Sequence, residues 1–341
     1  MRVGDAMGEA CKGLAMRQDS RVLVVTVAFR PMVGGVAEYA YYMAKGFGAL
    51  GVRLKVITPH YPGAEESDRL SRIEVVRTRP VMKPYSNLSF GDRLVKAASL
   101  NGLAVGTVRT FNEFRPDIVY YPCMYPFAAL LPHRRAKIVT TFHGGEIMTH
   151  CHASRLARIN RVLLRRATRR SDLILTNSNY TAGALTRFGV QGEKIFVTGC
   201  GVDWGRFRDV LDEERVKEEL GLSGKRVLFT LGRLRRRKGF DTVLKCLPRL
   251  RKRFPDVYYV IGGTGHAEGH LRNLIADLDL AQCVRMVGRI EDRDVPRYMA
   301  ACDVFVMPTR ETSSGSVEGL SLIHISEPTR PLYISYAVFC L

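Results

Sequence analysis

The chain has 341 residues, room for about two domains of ~150 residues, and its 46% hydrophobic, 9% aromatic and 25% charged content excludes a disordered chain. Fifty-two Lys and Arg against 33 Asp and Glu leave a formal net charge of +19, a field that attracts nucleic acid, anionic lipid headgroups or phosphorylated substrates. No helix-turn-helix, zinc-finger or RNA-recognition pattern accompanies the charge, which argues against nucleic acid as the partner, and the eight cysteines form no C-x-x-C pair, which removes the usual zinc and redox spacings.

Residues 1–20 lack the apolar core of a signal peptide and read as a disordered N-terminal extension, with Met16 as an alternative start. From Arg21 onward, short β-branched runs alternate with longer amphipathic stretches. Arg21–Val27 is a continuous apolar strand of the kind buried on both faces of a parallel sheet. A loop bearing Gly34 and Gly35 follows, then a helical stretch beginning VAEYAYYM. Further strands are predicted at Arg53–Thr58, Ile73–Arg77, Asp117–Tyr121, Lys137–Phe142, Asp172–Asn177 and Lys194–Thr198, with helices over Ser154–Arg170 and Tyr180–Phe188. These βαβ units make a first Rossmann-like domain over 21–205.

A second series fills 206–319. Its strands are Arg226–Gly232, Val257–Gly262, Cys283–Val287 and Asp303–Met307; its helices are Gly239–Phe254, Glu268–Leu278 and Val295–Ala301. The expected class is α/β, two tandem doubly wound domains with the second incomplete. In such folds nucleotides bind at the carboxyl ends of the strands, in a cleft between the sheets. No apolar run reaches the ~20 residues of a membrane span. Isolated, apolar-flanked cysteines suit a reducing cytoplasm.

After Gly319 neither helical period nor strand alternation survives. Leu320–Arg330 resembles the in-frame translation of a transposase-type sequencing adapter, and Ile334–Leu341 that of the flow-cell end, with Pro331, Leu332 and Tyr333 as the index between. Residues 320–341 are therefore expected to be a non-native tail, and the evolved sequence to continue differently after Gly319.

The chemistry-bearing positions lie where strands end. Arg233 and Lys238 bracket a basic run between a strand and a helix. A forked guanidinium and an ammonium there can stabilise a departing diphosphate, with a helix N-terminus adding its dipole; the bland alternative is a solvated basic turn, and Arg235, Arg236 and Arg237 read as such a solvated run or as a lipid-facing patch. Gly34 and Gly35 allow backbone N–H groups to approach phosphate or sugar, or simply make a tight turn. Gly263, Gly265 and the run Val287, Gly288, Arg289, Ile290 follow two further strands and can present main chain to a nucleotide base, or again be turn chemistry. His143 sits just past a strand, in TFHGGE. His143, His150 and His152 lack the i, i+4 spacing of a helix-borne metal pair, so no metal is expected.

The segments GRLRRRKGFDTVL, VIGGTGHAEGHLRNLI, VRMVGRIEDRDVPRYMAACDVFVMPT and GVDWGRF resemble, in that register, the large retaining glycosyltransferase family 4. The N-terminal VTVAFRPMVGGVAEYAYYMAKGFGALGVRLKVITP and TTFHGGE match its acceptor-side domain. The resemblance covers about residues 21–319 and looks nearest to the bacterial phosphatidylinositol mannosyltransferases. It implies a GT-B fold and transfer of a hexose from a nucleoside diphosphate sugar, GDP-mannose or a UDP-sugar, to a lipid-linked or saccharide acceptor. It assigns the diphosphate to Arg233 and Lys238, the sugar to His143 and, with less support, Glu146, and the base to the 287–290 loop.

The family also carries two glutamates eight residues apart, one on sugar hydroxyls and one on the ribose. Glu318 fits the first; position 326 is Ser326, with Glu327 one register off, so this C-terminal stretch is expected to leave the site incomplete and the chain poorly active. GCGVD over 199–203 replaces the family's Pro-Asn-Gly-Val-Asp. The net charge suggests a cytoplasmic enzyme resting on anionic membrane at the inner face of the cell membrane. A nucleotide-sugar 2-epimerase of the same fold, or a polyanion-binding protein without turnover, are the rival readings.

Overall fold

The computed structural model describes residues 19–32, 34–71, 73–81, 90–123, 125–132, 136–148, 155–199, 201, 205–208, 212–310 and 338–340. The chain forms two contact units, Met1–Gly199 and Cys200–Leu341, dividing some six residues before the 205/206 boundary expected from sequence.

In the first unit, seven strands make one parallel sheet: β1 (Arg21–Val25), β2 (Arg53–Pro59), β3 (Val75–Thr78), β4 (Ile118–Tyr121), β5 (Lys137–Phe142), β6 (Leu173–Thr176) and β7 (Ile195–Val197). Their spatial order is β3-β2-β1-β4-β5-β6-β7, so the winding reverses between β1 and β4. Val22 to Val25 are fully buried because the sheet is covered on both faces. One cover is α1 (Gly35–Ala49), which packs Ala40 and Ala44 against Val22 and Val24. The other is built from α3 (Phe90–Phe114), α4 (Tyr125–Leu130) and α6 (Arg155–Arg170), whose Leu103, Ala128 and Ala167 join Leu23 and Val119. Between these lie α2 (Ala64–Ser71) and α5 (Gly145–Met148); α7 (Asn179–Arg187) follows β6.

β1 stops two residues before its expected end. After a last bond from the Thr26 N–H to the Ile57 carbonyl at 3.1 Å, the Thr26 hydroxyl accepts from the Ala28 N–H at 3.0 Å and donates to the Ala28 carbonyl at 2.9 Å, which closes a local turn. Helix α3, 25 residues long, had no distinct pattern in sequence. Gly106 explains its close seat: a β-carbon there would come within 2.8 Å of Thr78 Cγ2 on β3.

The second unit starts with α8 (Gly205–Arg208) and α9 (Glu213–Glu219), then alternates β8 (Arg226–Leu231), α10 (Phe240–Arg253), β9 (Val257–Gly262), α11 (Glu268–Asp277), β10 (Val284–Gly288), α12 (Val295–Ala300) and β11 (Val304–Val306). The order is β10-β9-β8-β11-β12, the first four parallel. β12 (Val338–Cys340) belongs to the 320–341 stretch, and whatever the origin of that stretch, its backbone pairs antiparallel with β11. Phe229, Phe240, Leu244, Leu247, Tyr259 and Phe305 are almost wholly buried around this sheet. Lys217 Nζ reaches both Asp303 oxygens at 3.0 and 3.2 Å, and Asp303 also accepts the Val227 N–H at 2.6 Å, tying α9 and β11 to β8.

Candidate active site

In the first unit the candidates stand at the carboxyl ends of β1, β4 and β5. Gly34 caps α1 at φ +156° and ψ 154°, a region open essentially to glycine alone, and no side chain caps the helix. A β-carbon on Gly34 or Gly35 would meet nothing within 4 Å, so packing does not require either glycine. An uncapped N-terminus of a 15-residue helix, with open space before it, suits an anionic group.

His143 follows β5, and its Nε2 lies 2.8 Å from the Pro122 carbonyl oxygen at the end of β4. A carbonyl only accepts, so Nε2 donates, and in the neutral ring Nδ1 is the accepting nitrogen. Tyr39, in the second turn of α1, meets the imidazole edge-on with ring centroids 4.9 Å apart. The structure thus brings His143 beside the glycine-capped end of α1, two features far apart in sequence. Behind them the Tyr120 hydroxyl contacts Thr141 Oγ1 at 2.8 Å and Tyr39 at 3.3 Å. Burial, with Tyr39 beside it, pushes the Tyr120 phenol well above its ordinary pKa, so the Tyr120 hydroxyl keeps its proton.

Sequence reading missed Arg30 and Glu38. Arg30 donates to Glu38 through Nε at 2.9 Å and Nη2 at 2.5 Å, and its guanidinium lies 3.8 Å from the Tyr41 ring centroid. Burial disfavours the charge, but the hydrogen bond and charge of Glu38 outweigh it and raise the guanidinium above its ordinary value. The pair braces the loop from β1 to α1. Its only sequence signal was an acidic residue in the first turn of a helix that follows an Arg-Pro loop.

In the second unit, glycine contacts hold the loops together. Gly263 has φ +124°, and a β-carbon there would overlap the Gly232 carbonyl oxygen; one on Gly265 would come within 2.8 Å of the Leu234 nitrogen. Gly239 has φ +76°, and its β-carbon would overlap the Pro308 carbonyl oxygen. Leu234 N–H donates to the Thr264 carbonyl at 3.0 Å, and Arg310 N–H to the Arg237 carbonyl at 2.9 Å. The loop that carries Arg233 and Lys238 is therefore clamped by the loops after β9 and β11.

On this clamped loop Arg233 is exposed and Lys238 half-buried, its Cε lying 3.8 Å from where a Gly232 β-carbon would stand. Lys238 closes a short 3-10 turn, Arg236–Lys238, and Gly239 intervenes before α10, so the helix opens at Phe240, one residue later than the sequence suggested. Arg235 and Arg237 are half-buried with their Nε atoms out of solvent, which corrects their reading as a solvated run; Arg236 alone of the three is exposed. Asp241, 6% exposed in the first turn of α10, receives Arg310 Nη2 at 3.0 Å and anchors the same loop.

The 287–290 run divides in two. Val287 and Ile290 turn inward against the core around Phe229 and Phe305. Gly288 has φ +70° and gives its carbonyl to the Gly263 N–H at 2.6 Å, while Arg289 is exposed and 3.7 Å from Glu291. Of the four residues in this run, only Arg289 is exposed. Glu318 lies outside the described residues, as do the Glu146 side chain, His150 and His152. Among the described residues no three His, Cys, Asp or Glu side chains gather as a metal site, and no helix is long and apolar enough to cross a membrane.

Comparison with known proteins bears on the family and the fold. The sequence family Glycosyltransferase Family 4 matches residues 33–206, and Glycosyl transferases group 1 matches 212–325. The GDP-mannose-dependent alpha-(1-6)-phosphatidylinositol monomannoside mannosyltransferase of Mycolicibacterium smegmatis is 30% identical over 313 residues, covering 89% of this chain and 77% of that protein. Its Mycobacterium tuberculosis counterpart is 28% identical over 318 residues, covering 90% and 77%. Anabaena Alr3699/HepE, solved with UDP and glucose, superposes with a TM-score of 0.64 at 22% identity over 85% of this chain and 74% of its own. Sucrose-phosphate synthase from Thermosynechococcus elongatus does so at 0.69 and 14% identity, over 89% and 77%. With two Rossmann-like sheets of the GT-B kind and family matches along both, the chain belongs to glycosyltransferase family 4 and is a glycosyltransferase.

Proposed function

We propose that the chain transfers a hexose from a nucleoside diphosphate sugar to a lipid-linked or saccharide acceptor with retention at the anomeric carbon, with GDP-mannose the first donor to test. The observation that carries this is the clamped loop after β8. Arg233 and Lys238 stand on a backbone locked by Gly263, Gly265 and Gly239, so the main chain from which both charges project is set before a substrate arrives. Two fixed cations beside a departing diphosphate stabilise its growing charge without a metal. The names of the mycobacterial relatives point to GDP-mannose and to an acceptor carried on lipid.

His143, with Nε2 committed to Pro122 and Tyr39 bracing the ring, is assigned to orient the transferred sugar. The Gly34–Gly35 opening takes an anionic or hydroxyl-rich group against the end of α1. Main chain of 263–265 and 287–290, with Arg289, holds the nucleotide, and Glu318 is assigned to sugar hydroxyls. Retention follows if the acceptor attacks from the face the diphosphate leaves, the leaving phosphate taking the acceptor proton. The enzyme works at the inner face of the cell membrane. The test supplies labelled GDP-mannose or a UDP-hexose with a lipid extract or free saccharides and reads product anomers by NMR. An inverted product would sink the retaining mechanism, and absence of transfer from every donor would sink the proposal.

A further inference from the structure

Helix α6 has seven arginines and no acidic residue in the sequence RLARINRVLLRRATRR. Its inner face buries Leu164, Ala167 and Thr168 against the first sheet. Its outer face exposes Ile159 to 57% and Val162 to 61%, unusual values for β-branched apolar residues on a finished surface. At about 100° per residue the two lie roughly 60° apart around the helix, with Arg158, Arg165, Arg166 and Arg169 on the same side. All four are exposed. The result is an apolar centre ringed by guanidinium groups.

The patch extends beyond one helix. Arg170 donates to the Ala129 carbonyl at 2.8 Å and the Leu131 carbonyl at 2.9 Å, fixing the end of α4 beside the end of α6. Leu130 between them is 57% exposed, and on α3, which covers the same face of the sheet, Val105 is 63% exposed.

We infer that the outer face of α6 docks the protein on an anionic phospholipid bilayer. Ile159 and Val162 enter the headgroup–acyl boundary while the surrounding arginines bind lipid phosphates and keep their charged heads at the interface. A face that only bound nucleic acid would have no use for a branched apolar pair at its centre. The inference rests on the reading that the acceptor is lipid-borne, for which it supplies the means of reaching the substrate.

The test is cosedimentation of the full chain with phosphatidylcholine vesicles, with and without phosphatidylglycerol. The protein should pellet only with the anionic vesicles. Arg158→Ser/Arg166→Ser/Arg169→Ser and, separately, Ile159→Ser/Val162→Ser should each weaken that binding by roughly tenfold or more. Lys245→Ser/Arg249→Ser/Lys252→Ser removes the same charge from exposed positions of α10 in the other unit and should keep most of it. Circular dichroism confirms that each variant folds. Equal loss in the α10 control would reduce the effect to net charge and overturn the inference, as would failure of the wild-type chain to bind. Undiminished binding by the Ile159/Val162 variant would make the face a general polyanion site and overturn it too. Thermal shift with GDP and UDP in the same samples tests the transferase reading separately: no shift alongside intact vesicle binding would sink that reading and leave the docking face standing.

Discussion

Gly263 and Gly232 meet backbone to backbone: a β-carbon on Gly263, whose φ is +124°, would overlap the Gly232 carbonyl oxygen. The contact lets the loop after β9 close against the loop that carries Arg233, while the Gly263 N–H continues to the Gly288 carbonyl at 2.6 Å. One glycine thus joins three strand ends.

Gly263→Ala should therefore cost about 1–3 kcal/mol from the backbone conformation alone, with the overlap adding to it. Gly239→Ala, at φ +76° against Pro308, should behave alike. Gly35→Ala, in the first turn of a helix with open space around it, should leave stability within ~0.5 kcal/mol. Urea unfolding of the three variants checks the contrast. Equal stabilities would mean that the loops do not interlock as described.

Arg233→Ala or Lys238→Ala should lower kcat roughly 10²–10³-fold, the usual loss for one preorganised donor to developing charge. Arg236→Ala, at an exposed position given no part in holding the diphosphate, should lose far less. Comparable losses at all three positions would point to bulk charge instead of placed charge.

His143→Ala should cost on the order of 10²-fold in turnover through loss of substrate orientation, with little change in thermal stability because the ring is only half-buried. Tyr39→Phe keeps the ring edge against His143 and should retain most activity; Tyr39→Ala removes the brace and should resemble a partial His143 loss. Steady-state kinetics of the three variants, with melting curves, separate positioning from folding. Full activity in His143→Ala would remove this residue from the site.

Stability should fall on the alkaline side. Burial, with the Asp303 charge beside it, pushes the Cys302 thiol from 9.0 up to about 12. An acid whose folded pKa is raised loses its proton first in the unfolded chain, so its contribution is complete below about pH 9 and shrinks until about pH 12. The slope for one such proton is ~1.4 kcal/mol per pH unit. Cys283, Tyr121 and Tyr259 are raised by burial in the same direction. Melting temperatures from pH 8 to 11 should drop, and less steeply in Cys302→Ala. In the native protein exposed Cys246 should react with a thiol reagent while Cys302 does not. An alkaline slope unchanged in Cys302→Ala would refute the assignment.

Much of the fold was legible in sequence because strands buried on both faces must be continuous apolar runs. Lys137–Phe142 and Val257–Gly262 end where the sequence placed them. Helix α3 was not, since glycines and apolar residues all round it leave no clear stripe; tertiary contact with β3 holds it. The glycines at strand ends and the bracketed basic run showed where a phosphate-bearing ligand could sit, because those residue types at those turns follow from backbone and charge chemistry alone. The sequence could not show that Gly263, Gly239 and Pro308 clamp the basic loop, that Arg235 and Arg237 leave solvent while Arg236 does not, or that Pro122 and Tyr39 orient His143. Those relations join residues tens of positions apart, and only the packing of parallel strands with their carboxyl ends together decides them.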